Sequence, residues 1–178
     1  MAQVIRLTAA GGPECMQIQQ LDVAAPGPGE VLLAQEAVGV NPLDVLQRKG
    51  IAPIPLPSGL GLEGAGTVLA LGAGVSQLAV GDRVAYATGP LGAYASERLY
   101  PAERLVKLPD SISAEQAAAV LFKGITAQYL LTSTYAVGPG TVVLLYGASG
   151  GVGQLMASWA KHLGATVIGV VSTPEKAT

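Results

Sequence analysis

The sequence predicts a mixed α/β chain: a small β-barrel or sandwich, followed by one βαβ unit. Three observations carry this. Up to about Lys107 the apolar runs are short and separated by Gly and Pro turns. From Ser113 the apolar residues take up helical spacing. From Thr141 a strand-like run, a glycine turn, an amphipathic stretch and a second apolar run follow one another.

Taken in order, residues 4–7, 16–21, 31–40, 67–71, 83–86, 94–99 and 105–107 read as strands. Pro26-Gly27-Pro28-Gly29, Gly72-Ala73-Gly74 and Gly81-Asp82 are the turns between them. Asn41-Pro42 opens a short helix, because Asn caps free N–H groups and Pro fits the first helical position. That helix runs 43–49 and stops at Gly50. Pro53, Pro55 and Pro57 make 51–58 an extended, stiff loop. Ser113 with Gln116 forms a capping box before a helix at 117–121. Gly124 is expected to break the run, with a second helix at 126–135. Residues 141–146 are apolar throughout and rich in β-branched side chains, as in a strand buried on both faces. Val152, Leu155, Met156, Trp159, Ala160 and Leu163 recur at helical spacing until Gly164, and 165–171 is the second strand. Parallel strands joined through a helix make a βαβ unit.

Composition excludes several classes. Half the residues are hydrophobic and 12% are charged, so the chain is not intrinsically disordered. A net charge of −2 leaves no electrostatic footprint for nucleic acid or an anionic membrane. One Cys forms no internal disulfide, and one Cys with one His is too few soft ligands for a typical structural zinc site. Residues 1–15 have no apolar core after a basic start, so no signal peptide is expected. The mean hydropathy of +0.46 suggests a membrane protein. The uncharged stretch 124–160 is nevertheless cut by Gly138-Pro139-Gly140 and by the glycines of 147–153, into pieces too short for a bilayer. A buried interior and a cytoplasmic protein are expected.

The glycine turn reads Gly147-Ala148-Ser149-Gly150-Gly151-Val152-Gly153. Ala148 stands at the first position of a G-x-G-x-x-G pattern, with Gly150 and Gly153 at the second and third. Without a Cβ at Gly150, backbone N–H groups can approach a pyrophosphate. Gly153 lets the helix pack on the strand, and the helix N-terminus, through Gly151 and Val152, adds partial positive charge. The alternative is a strand-to-helix turn with no ligand. At the tip of the second strand no acid is present to bond the adenosine ribose. Ser172 and Lys176 stand there instead, which favours NADP(H), although Glu175 is near enough to take the acidic role.

Several motifs then line up: Asn41-Pro42-Leu43-Asp44, Pro57 through Gly66, Gly81-Asp82-Arg83-Val84, Lys123-Gly124-Ile125-Thr126-Ala127 and Ala148 through Gly153. In this order and spacing the chain resembles the quinone oxidoreductases, the zeta-crystallin-like, zinc-free branch of the medium-chain dehydrogenase/reductase superfamily. The resemblance implies a GroES-like β-barrel domain over residues 1–123, followed by the first βαβ unit of a Rossmann domain over 124–178. It implies NADPH as reductant and a quinone or similar conjugated carbonyl as acceptor. Asn41 would position the nicotinamide ribose or orient the acceptor, or serve only as a helix cap. Asp44 would act beside it or add charge to the helix start. Thr126 and Tyr129 match family positions near the cofactor, or are helix packing residues. Where close bacterial relatives have tyrosines near the pocket, this sequence has Leu46 and Ala52, which points also to an enone or alkenal acceptor.

Where zinc alcohol dehydrogenases of the superfamily have a Cys and a His ligand, this sequence has Asn41 and Leu62, and Glu63 alone cannot hold a catalytic zinc. No metal is expected. Cys15 reads as a small core or surface residue and His162 as a residue that favours a helix C-terminus, not a ligand. Family members are about twice as long, so the chain is expected to be a portion of a longer protein or a truncated product. The full-length form is expected to be a homodimer. A non-catalytic NADPH-binding protein and a GroES-like interaction module are the competing expectations.

Overall fold

The short strands of the first two-thirds form two antiparallel sheets in the computed structural model, which describes residues 1–177. The chain divides into two compact units, Met1–Leu121 and Phe122–Thr178. In the first, β1 (Ala2–Leu7) lies between β2 (Met16–Leu21) and β4 (Ser58–Gly59). A five-stranded sheet has the order β7-β3-β5-β6-β8, from β3 (Glu30–Gly39), β5 (Glu63–Leu71), β6 (Arg83–Ala87), β7 (Glu97–Pro101) and β8 (Val106–Lys107).

Two register shifts between β3 and β5, at Leu32/Leu33 and Gln35/Ala37, leave Leu69 of β5 and Glu36 of β3 unpaired, as bulges do. Residues 94–96 tie the sheets together: Ile5 N donates to Tyr94 O, Ser96 N to Gln3 O, and Gln35 N to Ser96 O, each at 2.8 Å. The enclosed core contains Val31, Leu33, Val68, Val84, Tyr86 and Tyr100. Each such side chain contributes about 1.5–3 kcal/mol by leaving water. The helix α1 (Pro42–Arg48) follows β3, and the first turns of α2 (Ala114–Tyr129) pack Ala114, Ala117 and Ala118 on Ala65 and Ala85.

The second unit pairs β9 (Val142–Tyr146) with β10 (Thr166–Val170) in parallel, joined through α3 (Gly151–His162). Leu131, Ala160 and Ala165 form its core, with Val143, Met156, Trp159 and Val167 against them. No helix among the described residues is long and apolar enough to cross a membrane.

Three expectations need correction. Gly124 does not break the helix: α2 runs unbroken from Ala114 to Tyr129 and ends in a π-helical turn, Leu130–Thr134, in place of a second helix. A helical glycine costs about 1 kcal/mol relative to Ala, and the burial of Ala117, Ala118 and Ala127 on either side outweighs it. Nor is β9 buried on both faces. Leu145 is 8% exposed but Leu144 is 57% exposed, and Val142 and Tyr146 are exposed beside it. With α3 on one face of a two-stranded sheet, only alternate residues find cover. The run 94–99 becomes a strand only at Glu97, because 94–96 bond to β1 and β3 separately.

Candidate functional site

Around α1 the polar side chains hold one another. Asn41 precedes the helix with extended backbone angles and Pro42 starts it, as the capping pattern requires. Asn41 N donates to Asp44 Oδ2 at 2.9 Å, the reciprocal bond of a capping box. The Asn41 carboxamide reaches β5, where Nδ2 donates to Glu63 Oε2 at 2.9 Å. From the other side the Tyr94 hydroxyl donates to Asp44 Oδ2 at 2.8 Å. At the far end Arg48 Nη1 donates to Gly11 O at 2.7 Å, and Gly11 N donates back to Arg48 O. Asn41 is 3% exposed and Asp44 1%. The two residues expected to be catalytic are therefore neighbours, set in a buried network. Burial pushes the Tyr94 hydroxyl well above the usual tyrosine range, and the bond and charge of Asp44 push it further. Tyr94 is thus held as a hydrogen-bond donor to Asp44.

At the glycine turn the backbone is what is presented. Gln154 N makes the first bond of α3, to Gly150 O at 2.9 Å. The N–H groups of Gly151, Val152 and Gly153 come before any acceptor within the helix, and Gly150, as N-cap, has no side chain to cover them. Gly147 takes a positive φ of 67° that a side chain would disfavour. A Cβ at Gly153 would collide with Gly147 O and the backbone of Ala148, so its bareness sets the packing of helix against turn. A Cβ at Gly150 would meet one atom, Gly147 O at 3.2 Å, and its φ of −79° suits any residue. The stem of Lys123 runs beside Gly151, where a Cβ would lie 2.9 Å from its Cδ. Backbone donors at a helix start without side chains over them fit a phosphate group.

At the tip of β10, Lys176 Nζ donates to Ser172 Oγ at 3.0 Å, so these two predicted residues meet. Glu175 is held by Thr173, whose bond lowers its carboxyl below the usual range. Thr126 Oγ1 donates to Phe122 O at 3.0 Å within its own helix, and Tyr129 is exposed at the end of α2.

Sequence reasoning missed Tyr94 as a partner of Asp44 and missed the role of Glu63. Glu63 had a signal: a lone carboxylate in the apolar, glycine-rich run 60–66 must find a partner when buried. Tyr94, fifty positions from Asp44 in the chain, had none. Among the described residues no group of three or more His, Cys, Asp or Glu converges as a metal site.

Residues 27–110 match the alcohol dehydrogenase GroES-like domain. The chain is 52% identical to a quinone oxidoreductase of Pseudomonas aeruginosa, over 99% of this chain and 55% of that protein. It is 48% identical to a 2-haloacrylate reductase of a Burkholderia species, over 99% of this chain and 54% of that one. The solved Escherichia coli quinone oxidoreductase, complexed with NADPH, superimposes with a TM-score of 0.95 at 44% identity, over 98% of this chain and 54% of that one. The chain thus spans about half the length of the curated relatives it matches. With a GroES-like domain, a strand–glycine turn–helix that fits a phosphate, and these relatives along its whole length, the chain is similar to the quinone oxidoreductases of the medium-chain dehydrogenase/reductase superfamily.

Proposed function

We propose that this chain is part of a zinc-free, cytoplasmic, NADPH-dependent oxidoreductase that reduces quinones. The observation that carries the reading is the open N-terminus of α3 at Gly150–Gly153, together with the Lys176–Ser172 pair at the tip of β10. The N–H groups of Gly151, Val152 and Gly153 bind the cofactor's pyrophosphate, and Lys176 and Ser172 take its 2′-phosphate as cation and hydroxyl. Bound NADPH supplies a hydride. Asn41 orients the nicotinamide ribose or the acceptor, Asp44 holds Asn41, and Thr126 and Tyr129 line the cofactor's path. A quinone is electrophilic enough that positioning does most of the catalytic work, with protons drawn from water. The full-length enzyme is a homodimer in this reading, as in the family it resembles.

A second acceptor class has a specific observation behind it. The similarity to a 2-haloacrylate reductase is nearly as high as that to the quinone oxidoreductase. Conjugated carbonyls other than quinones belong to the same hydride chemistry.

The test is kcat/KM for NADPH and NADH in the wild type and in Lys176→Ala. Losing a charge-assisted contact of about 1.5–3 kcal/mol should cost about tenfold or more for NADPH alone. An equal loss for both cofactors would refute the assignment of Lys176.

A further inference from the structure

Tyr94 is held more firmly than a surface tyrosine. Its backbone N donates to Leu60 O at 2.9 Å and its carbonyl accepts from Ile5 N at 2.8 Å. Its ring lies against Gly61, where φ is +90° and a Cβ would come 2.5 Å from Cδ1. The hydroxyl so placed donates to Asp44 Oδ2 at 2.8 Å, and the same oxygen accepts the Asn41 N–H at 2.9 Å. The other carboxylate oxygen, Oδ1, is buried with no hydrogen-bond partner. Asp44 is therefore oriented through one oxygen only. Without the Tyr94 hydroxyl, Oδ2 keeps the Asn41 N–H as its one hydrogen-bond partner, and the carboxylate is held by a single bond.

We propose that Tyr94 is a positioning residue: by donating to Asp44 it fixes the first turn of α1, and through that turn the Asn41 carboxamide that orients the nicotinamide ribose or the acceptor. The proposal rests on the functional reading of Asn41 given above. In this role Tyr94 acts through Asp44. It locks Asp44 with the oxygen that accepts from Asn41 facing the helix start, and Glu63 then holds the carboxamide from the opposite side.

Tyr94→Phe keeps the ring on Gly61 and removes one oxygen. In the 178-residue chain, amide hydrogen exchange at Asn41 should quicken about tenfold, the worth of one bond to a charged group, with exchange in α3, β9 and β10 unchanged. In the NADPH-loaded enzyme with 1,4-benzoquinone as acceptor, kcat should fall several-fold while KM for NADPH stays within about twofold. The double variant Tyr94→Phe/Asn41→Ala should be no slower than Asn41→Ala, since residues acting as one unit are not additive. Unchanged exchange at Asn41, or losses that multiply in the double variant, would overturn the proposal. If exchange quickens but Asn41→Ala itself turns over normally, the functional reading of Asn41 fails and takes the catalytic part of the proposal with it.

Discussion

Around α1, in Met1–Leu121, the groups of interest are side chains drawn from three separate segments: Asn41, Asp44 and Arg48 on or beside α1, Glu63 on β5, and Tyr94. At the glycine turn of Phe122–Thr178 they are main-chain N–H groups from one short stretch, Gly151 to Gly153. The first unit also closes its polar interior elsewhere. Arg98 lies over the rings of Tyr86 and Tyr100 and donates to Pro90 O at 2.8 Å, while Tyr86 donates to Gln35. The second unit leaves Val142, Leu144, Tyr146 and Ile168 exposed along its sheet. A side-chain network needs a folded barrel to assemble it. A backbone cradle needs only a strand, a turn and a helix, and its sensitivity lies in what must be absent: a Cβ.

The largest expected effect tests the one-sided burial of β9. Leu145→Ala should destabilise the chain by about 2–4 kcal/mol, whereas Leu144→Ser next to it should change stability by less than about 0.5 kcal/mol. Denaturant midpoints of the two variants measure this. Equal losses would mean that both faces are covered.

A smaller effect belongs to the first unit. Lys107 Nζ lies 2.6 Å from Asp82 Oδ2, and this bond holds the Asp82 carboxyl below its ordinary value. A depressed carboxyl stabilises the fold above its unfolded value of about 3.9 and stops doing so as pH falls through the folded value. The melting difference between wild type and Lys107→Met should be small at pH 7 and vanish in acid. A difference that does not vary with pH would mean that the pair adds nothing electrostatic.

How much of this was legible in the sequence differs between the two regions for a physical reason. The βαβ unit is local. The run 141–146, the turn and the apolar spacing of α3 declare their partners within thirty residues, and the Lys176–Ser172 pair lies within one turn. The helix α1 was legible too, because capping is a local code: Asn41, Pro42 and Asp44 stand together. What binds α1 to the barrel was not, since Glu63 and Tyr94 are twenty-two and fifty positions away and no periodicity links them to Asn41 or Asp44. The break assigned to Gly124 was an error of the opposite kind. A local preference was read where packing decided.

Gly150 is where the proposal that main-chain N–H groups of the second unit hold the pyrophosphate is most directly tested. The position has ordinary extended angles and one close neighbour, so Gly150→Val should cost the fold less than about 1 kcal/mol, a melting shift under about 4 °C. The new side chain would stand where a pyrophosphate must approach the N–H groups of α3. Titration of NADPH fluorescence against the full-length wild type and its Gly150→Val variant, beside thermal melting of both without cofactor, separates the two effects. Affinity should fall tenfold or more with melting nearly unchanged, on the order of 1.4 kcal/mol or greater in binding alone. A folded Gly150→Val protein that binds NADPH as the wild type does would contradict the proposal.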